Sequence, residues 1–368
     1  MDEVIAWRRH LHRHPEVSFE EHETSAWIAE RLAEFGLSAE RPTQTSVLAR
    51  LGSGSPVVAL RADIDALPIH EESGVEFASE TPGAMHACGH DGHTAMLLGA
   101  ASELASGELP PGEVRFIFQH AEELAPGGAR ELVAAGVMED VDFVYGCHLW
   151  TPLAFGKVAA VGGDWMAAAD FFKVTITGRG GHAGLPHTAV DTIAAAAAFV
   201  GQLQHIVSRR IDPLEPAVVT IGSLHAGDAP NVIPGVAVLE GTSRSFSPDV
   251  RELIPKLIEE IGVGVCAAHG ASFELDYVWG YKPVVNDARA TELVRSAVRD
   301  ELVELDPIMG GDDFSAYLAE APGCYAFIGA GGDYPHHQPR FVIDERALAI
   351  GTRLHVDVAR RVLQGGLS

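Results

Sequence analysis

The sequence has few cysteines and no long apolar run. Its 368 residues include only Cys88, Cys147, Cys266 and Cys324, which are widely spaced and form no Cys-x-x-Cys pair. This pattern excludes a disulfide-rich scaffold, and we expect reduced thiols. No stretch of about 18 apolar residues is present, which excludes a transmembrane helix. Charges begin at residue 2 and no apolar segment follows, so we expect no signal peptide and a cytoplasmic protein.

Positive charge is also scarce. Lys and Arg number 26 against 51 Asp and Glu, giving a formal net charge of -25. So acidic a surface repels phosphate backbones and anionic lipids, which excludes nucleic acid and membrane surfaces as expected partners. Hydrophobic residues make up 47% and charged residues 21%, as is usual for a soluble globular protein, and the length allows two domains.

Helical and strand patterns alternate over most of the chain. Nearly continuous apolar runs of strand length occupy 56–64, 113–119, 142–150 and 324–330. Helical patterns occupy 3–13, 21–35, 94–106, 128–139, 290–302 and 345–364. Strands that are apolar on both faces and alternate with helices are typical of a mostly parallel α/β sheet.

The pattern changes between residues 168 and 279. Here the order is strand, helix, two strands, helix, strand, with the first helix over 189–209. This order is the ferredoxin-like split motif. We therefore predict a catalytic domain formed by 1–167 and 280–368, and an inserted α+β domain formed by 168–279.

Acids and histidines follow four of the predicted strands. Asp63 and Asp65 follow the first, and Glu122 and Glu123 the second. His148 ends the third, and the fourth is followed by a glycine-rich turn with His336 and His337. Ligands of open α/β sheets bind beyond the carboxyl ends of the strands. Acids and histidines that follow four strands at one edge of the sheet therefore predict a shared site.

The segment 85–93, MHACGHDGH, indicates the chemistry of this site. In an extended chain His86, Cys88 and His90 would share one face. Thiolate, imidazole and carboxylate together suit a metal such as zinc. In the Glu122-Glu123 pair, one carboxylate can bind metal while the other serves as a general base. A nucleophilic Cys88 paired with a histidine is the competing interpretation, but it needs far fewer acids and histidines.

The stretch GRGGHA at 178–183 formally matches a dinucleotide-binding loop. Such a site needs an acid about 20 residues further on, and that position here lies in an alanine-rich helix without one. We therefore exclude a nicotinamide cofactor, and with it a zinc dehydrogenase.

Motifs along the whole chain resemble one enzyme superfamily. WRRHLHRHPEVSFEE, RADIDALPI, MHACGHDGH, FQHAEE, GCHLW, GRGGHAGLPH, NVIP, GTSRSF, GDDF and HQPRFVIDE occur in this order. They resemble the metal-dependent amidohydrolases of the aminoacylase and carboxypeptidase-like superfamily. The most similar branch is the cysteine-containing one, with hippurate hydrolase, auxin-conjugate hydrolase and N-acetyl-diaminopimelate deacetylase. The resemblance implies hydrolysis of N-acyl-L-amino acids to a carboxylic acid and a free amino acid.

The resemblance also implies roles for individual residues. It implies two divalent metal ions per subunit, with Zn, Mn, Co and Ni all open. Cys88 matches the bridging ligand, His90 and His148 match ligands of one metal, and Glu123 and His337 match ligands of the other. Glu122 matches the general base. In the inserted domain, the lid and dimerisation domain of such enzymes, His182 matches a histidine that reaches a partner's active site, and Asn231 and Arg244 match substrate-binding residues.

Some points depart from the family pattern or stay open. Where the superfamily has His-x-Asp, this chain has Arg61-Ala62-Asp63, so one usual metal ligand is missing. His90 is expected to replace it. His12, His14, His93 and Asp91 belong to the motifs, but we expect them to support the site rather than bind metal. A metallo-dipeptidase or carboxypeptidase, or a non-catalytic metal-binding homologue, remain alternatives. A homodimer or homotetramer is implied by resemblance only.

Overall fold

The computed structural model describes residues 1–366. By its contacts the chain divides into two compact units. We call the first, residues 1–165, 284–306 and 313–368, the large unit. We call the second, residues 166–283 and 307–312, the small unit. No helix within residues 1–366 combines the length and the apolar character that crossing a membrane requires.

The elements follow one another along the chain in three groups. Up to the start of the small unit they are α1 (Asp2–Arg13), α2 (His22–Glu34), β1 (Ala39–Glu40), β2 (Val47–Ser53), β3 (Val57–Asp63), α3 (His90–Ser106), β4 (Gly112–Gln119), α4 (Gly128–Ala134), β5 (Phe143–Trp150), β6 (Lys157–Ala159) and β7 (Gly163–Met166). The small unit contains β8 (Ala168–Thr177), β9 (Gly181–His182), α5 (Thr192–Leu203), β10 (Ala217–His225), β11 (Val232–Ile233), β12 (Val236–Ser245), α6 (Pro248–His269) and β13 (Ser272–Tyr281). The remainder contains β14 (Val284–Asn286), α7 (Ala288–Ala297), β15 (Glu301–Val303), α8 (Ser315–Leu318), β16 (Gly323–Gly329) and α9 (Ala347–Leu363).

The large unit is built on an eight-stranded sheet with the order β1-β2-β4-β3-β5-β16-β6-β15. Its four central strands, β4, β3, β5 and β16, are mutually parallel. All seven residues of β3 and all seven of β16 are buried, as expected of strands covered by helices on both faces. The prediction of a mostly parallel α/β fold is confirmed.

Helices α3 and α9 form much of the apolar core of the large unit against this sheet. Met96, Leu97 and Leu98 of α3 and Leu348 and Val358 of α9 are buried in one cluster with the sheet residues. Thirteen of the seventeen residues of α3 are buried, so this helix is held rigidly. The rigidity matters because α3 begins at His90, at the end of the cysteine- and histidine-rich segment.

The small unit has a four-stranded antiparallel sheet with the order β10-β12-β8-β13. This is the strand order of the ferredoxin-like split motif. Helices α5 and α6 contribute Phe199, Leu203, Ile254 and Ile258 to a separate core on this sheet. The two short strands β9 and β11 pair with each other outside it.

Three of the predicted helices are shorter in the structure. The helix predicted over 128–139 ends at Ala134, because Gly136 has a positive φ of 82°. The helix predicted over 290–302 ends at Ala297, and Glu301–Val303 instead pairs in parallel with β6. The helix predicted over 189–209 is α5, which begins after the N-cap Asp191 and is followed by a short π-helical segment at Ile206–Arg210.

Candidate metal centre

Adjacent parallel strands bring four of the predicted site residues to one edge of the large sheet. The order β4-β3-β5-β16 places the segments that follow these strands side by side. The chain after β4 carries Glu122 and Glu123, β5 carries His148, and the loop after β16 carries His337. The expected convergence at the carboxyl ends of these strands is confirmed by the strand order.

Cys88 lies where two groups of ligand atoms meet. Its Sγ is 3.4 Å from Nε2 of His148. Two groups of side chains have ligand atoms within 4.8 Å of one another, and both contain this thiol: Cys88, His148 and His336, and Cys88, Glu123 and His337. A single sulfur shared by two donor groups is the arrangement that a bridging ligand needs.

The backbone turns sharply between Cys88 and His90. Gly89 has a φ of 93° and precedes the first residue of α3. The extended segment that was expected to align His86, Cys88 and His90 on one face therefore ends before His90, and that expectation is wrong. His86 is buried and takes part in none of the ligand groups found among residues 1–366.

His90 is held by one ring nitrogen and offers the other. Its Nδ1 lies 3.0 Å from the main-chain oxygen and 3.1 Å from Oδ1 of Asp65, while its buried Nε2 has no hydrogen-bond partner among residues 1–366. That Nε2 lies 3.9 Å from both Oε2 of Glu122 and Oε1 of Glu123. Metal-binding histidines are commonly oriented in this way by a carboxylate. Oδ2 of Asp63 is nearer still, at 3.7 Å, and a ring nitrogen that faces three carboxylates fits a cation.

The electrostatics of His90 agree with this geometry. Burial alone would lower the pKa of the imidazole, but Asp63, Asp65 and Glu123 outweigh it and raise the pKa to about 10. The protonated ring is thus the form favoured by a protein environment that carries an excess of negative charge. A divalent ion bound among these side chains would satisfy the same excess.

The two glutamates leave β4 through a tight turn. Ala121, directly before Glu122, has a positive φ of 49°. The N–H of Ala121 donates to Oε1 of Glu21 at 2.8 Å, and the N–H of Glu123 donates to Oδ2 of Asp65 at 2.9 Å. Glu122 is only 6% exposed and shares a ligand group with His90 and Glu123. The turn therefore directs both carboxylates into the same cluster.

His337 and His336 have different surroundings. His337 has a φ of 63°, is half exposed, and places its Nε2 3.2 Å from Oε1 of Glu123. Residues in this conformation are uncommon outside glycine and concentrate at functional sites. His336 is stacked on Trp150, and its Nε2 accepts a hydrogen bond from the N–H of Thr151. Each histidine belongs to one of the two groups that contain Cys88, so the choice of His337 stays a prediction.

The surroundings of the Cys88 thiol are the opposite of those that a nucleophilic cysteine needs. Burial and the carboxylates of Glu123, Glu122 and Asp63 raise its pKa well above the ordinary value. A catalytic cysteine needs a depressed pKa and a base that takes its proton. A bound cation, by contrast, would stabilise the thiolate directly, so the metal-ligand interpretation fits and the nucleophile interpretation does not.

Arg61 lies in a buried charge network rather than at a ligand position. Its guanidinium donates to Oδ2 of Asp63 at 2.6 Å, to Oδ1 of Asp313 at 2.9 Å and to Oε1 of Gln119 at 2.8 Å. The other oxygen of Asp63 lies 2.6 Å from Nδ1 of His93. The sequence departure at Arg61 therefore places a fixed cation among acids beside the centre.

The other motif residues support the backbone near the centre. His93 accepts at Nε2 from the N–H of Leu149, next to His148. Asp91 accepts a hydrogen bond from Arg8 at 2.7 Å and lies 2.8 Å from His12 Nδ1. These contacts agree with the supporting roles expected of His12, His93 and Asp91. His14 is exposed, contacts the ring of His10, and joins none of the ligand groups within residues 1–366.

In the small unit, His182 and Asn231 lie together and Arg244 lies elsewhere. His182 pairs with Val232 across β9 and β11, and the main-chain oxygen of Asn231 accepts from Ala183. Arg244 is opposite Ala169, at the start of β8, whereas Val236 is opposite Thr177, at its end. Eight residues of strand span roughly 26 Å, so His182 and Arg244 lie near opposite ends of this sheet.

Asp65 and Glu21 support the centre but were not predicted as site residues. Asp65 was noted as an acid after a strand, but its contacts with both His90 and Glu123 come from the fold. Glu21 ends the first family motif and begins a predicted helix, but the sequence assigns it no role, whereas in the structure its buried carboxylate reaches Ala121, 100 residues away. No local sequence signal indicates that contact, because it depends on where the residue before α2 lies relative to the turn after β4.

Comparisons with known proteins find enzymes that are similar to this chain. The family model described as peptidase family M20/M25/M40 matches residues 59–361. The chain is 54% identical over 288 residues to an N-acyl-L-amino acid amidohydrolase of Geobacillus stearothermophilus, covering 77% of this chain and 78% of that protein. It is 38% identical to thermostable carboxypeptidase 2 of Saccharolobus solfataricus, covering 97% and 95%. A crystal structure from Bacillus subtilis, described as a dinuclear metal-binding peptidase of the M20 family, matches with a TM-score of 0.85 and 35% identity, covering 99% and 98%.

Proposed function

The chain belongs to peptidase family M20/M25/M40, and from this premise we propose that it hydrolyses the amide bond of N-acyl-L-amino acids. The products are a carboxylic acid and a free amino acid. The observation that carries the proposal is a thiol, Cys88, shared by two donor groups beside a further carboxylate, Glu122, that neither group contains. That arrangement provides for metal binding and for proton transfer in one place.

The donor set suits two divalent metal ions, and we propose Zn, Mn, Co or Ni. Five side chains would hold these ions, with Cys88 as the ligand common to both, His90 and His148 as ligands of one, and Glu123 and His337 as ligands of the other. When bound, such ions would polarise the amide carbonyl and lower the pKa of a water molecule. The unpartnered Nε2 of His90 and the soft thiolate support nitrogen- and sulfur-binding metals over Mg or Ca.

Glu122 acts as the general base and then as the general acid. Its buried carboxylate takes a proton from the attacking water and returns it to the amide nitrogen as the C–N bond breaks. Its position in one ligand group with His90 and Glu123 keeps it within reach of the reacting atoms. Because the tight turn at Ala121 fixes the backbone before it, little reorganisation is needed during the reaction.

The small unit supplies substrate contacts, and we propose that it serves as a lid and dimerisation domain. Arg244 pairs with the carboxylate of the substrate, for which its forked guanidinium is suited, and Asn231 also binds substrate. His182 donates a hydrogen bond to the substrate carbonyl oxygen in the site of a second copy of the chain. The separation of His182 and Arg244 within one small unit supports this division, because both cannot reach one small molecule.

The division of roles between copies implies a homo-oligomer. We propose a homodimer, or a homotetramer that contains the same dimer, because each site then needs residues from two chains. We also propose a cytoplasmic location, in agreement with the four cysteines, all of which are free and buried in the structure.

A substrate panel tests the proposed function. Metal-loaded protein is incubated with N-acetyl, N-benzoyl and indole-acetyl amino acids and with free dipeptides, and released amino acid is measured. The matched control is Glu122→Gln, which keeps the size of the side chain and loses the base. We expect the wild type to release amino acid from N-acylated substrates, and Glu122→Gln to release it about 10²–10⁴-fold more slowly. Cleavage of dipeptides alone would instead favour a peptidase, the activity suggested by the similarity to thermostable carboxypeptidase 2. No release from any substrate would favour a non-catalytic metal-binding protein.

A further inference from the structure

The segment 16–21, between α1 and α2, lies against the metal centre. Its Ser18 donates a hydrogen bond to Oδ2 of Asp65 at 2.7 Å, and the main-chain oxygen of Glu16 accepts from Ala66 at 2.8 Å. Glu21, at its end, is fully buried and reaches the turn after β4. The segment therefore braces the chain after β3 and the chain after β4 from one side.

The turn after β4 depends on two carboxylates that accept its N–H groups. Ala121 occupies the left-handed region, which residues with a side chain rarely adopt without support from their surroundings. Its N–H donates to Glu21, and the N–H of Glu123 donates to Asp65. Glu122 lies between these two anchored positions. Losing either acceptor would leave a buried N–H unpaired and free the turn to adopt another conformation.

We propose that Glu21 is a positioning residue, whose Oε1 holds the Ala121 turn so that Glu122 and Glu123 point into the metal centre. It touches neither the substrate nor the reacting atoms. The proposal deepens the proposed function and rests on it for the role of Glu122, but the role of Glu123 as a ligand gives it a readout of its own.

The feature of Glu21 that matters is its acceptor oxygen rather than its charge. Burial, together with the nearby Asp65, raises the pKa of this carboxyl to about 7, so its neutral form is well populated at neutral pH. A neutral side chain of the same shape should therefore be tolerated. Glutamine keeps an acceptor oxygen at this position, whereas methionine has a similar length and offers none of comparable strength.

The test compares Glu21→Gln and Glu21→Met with Glu16→Met. Glu16 is a carboxylate on the same segment that also accepts backbone N–H groups, those of Glu23 and Thr24 at the start of α2. Because its carboxylate holds the start of α2 rather than the turn after β4, Glu16→Met reports the cost of loosening the segment alone. Metal-free proteins are titrated with Co²⁺, and binding is followed by the visible absorption of the ion. Turnover of an N-acetyl amino acid and thermal melting are measured on the same samples.

We expect Glu21→Met to weaken Co²⁺ binding by about tenfold or more, as losses of residues that support ligands do, and to lower kcat with little change in KM. Glu21→Gln and Glu16→Met should bind Co²⁺ within about twofold of the wild type, a difference well below that range. Wild-type affinity and kcat in Glu21→Met would overturn the proposal. An equal loss in Glu21→Gln would also overturn it, because charge would then be the cause.

Two further outcomes keep the inferences separate. If Glu21→Met does not fold, Glu21→Gln decides alone, since a tenfold loss of Co²⁺ affinity in that folded variant contradicts the proposal. If the wild type turns over no N-acylated amino acid, the proposed function fails, while the order of Co²⁺ affinities still supports or refutes the role of Glu21.

Discussion

The buried guanidinium of Arg61 allows a quantitative test of the charge network beside the metal centre. Arg61 is 1% exposed and donates hydrogen bonds to two carboxylates, Asp63 and Asp313, which are equally buried. Arg61→Met keeps much of the side-chain volume but leaves both carboxylates without their cation. Breaking a buried ion pair by removing one partner typically costs about 3–5 kcal/mol of unfolding free energy.

The remaining contacts place the expected cost near the lower end of that range. Asp63 keeps His93, and Asp313 keeps the side chain of Gln119 and the N–H of Ala129. We therefore expect a loss of about 3 kcal/mol. For a unit of this size that corresponds to a fall in melting temperature of roughly 6–12 °C.

The loss should also depend on pH with a defined sign. Burial alone would raise the pKa of Asp63, but Arg61 and the nearby histidines outweigh it and hold the pKa well below the ordinary value. A depressed folded-state pKa contributes stability above the unfolded pKa of about 4, and that stability is lost as pH falls towards the folded pKa. The difference between wild type and Arg61→Met should thus be full at pH 6–7 and shrink below about pH 4.

Urea denaturation of the metal-free proteins, followed by circular dichroism, measures this difference. The matched control is Arg50→Met on β2 of the same sheet. Arg50 is 35% exposed and pairs with Glu40 and Glu113, so its loss should cost less than about 1 kcal/mol. The account of this network would be refuted if the unfolding free energy of Arg61→Met were within about 1 kcal/mol of the wild-type value at pH 7. It would also be refuted if the difference in unfolding free energy did not shrink at low pH.

Three further predictions concern the site itself. Glu122→Gln should lower kcat by about 10²–10⁴-fold while retaining both metal ions, measured by turnover and metal analysis; unchanged turnover would remove Glu122 as the base. Asp65→Ala should weaken metal binding by about 10–100-fold, because His90 loses the group that orients it, and wild-type affinity would contradict that role. When His182→Ala and Glu122→Gln chains, each inactive alone, exchange subunits at random, half of the dimers are mixed, and one of the two sites in each mixed dimer is intact. The mixture should therefore recover about a quarter of wild-type activity, and no recovery would contradict sharing of His182 between copies.

The fold was largely predictable because its strands carry a strong signal. Continuous apolar runs at 56–64 and 113–119 identified buried parallel strands, and the acids that follow them marked the edge where the site lies. The helix ends were less predictable. The strand Glu301–Val303 is too short to show a strand pattern of its own, and it forms by pairing in parallel with β6 within the large unit.

The site was predictable as a set of residues but not as an arrangement. The types of the donors are explicit in MHACGHDGH and in the Glu122-Glu123 pair. The turn at Gly89 and the left-handed conformation of Ala121 are not, since each is imposed by neighbouring elements. The contacts of Glu21 with Ala121 and of Arg61 with Asp313 join residues 100 and 252 positions apart, and only the packed structure reveals them.

Dependence of activity on the number of bound metal ions tests the central claim most directly. The protein is stripped with a chelator, titrated with Co²⁺ or Zn²⁺, and assayed on an N-acetyl amino acid after each addition. The account predicts no turnover without metal and full turnover at two ions per chain, with Cys88→Ser weakening both positions because its sulfur is shared. Undiminished turnover by the stripped protein would contradict the account. So would a Cys88→Ser protein that binds both metal ions as tightly as the wild type.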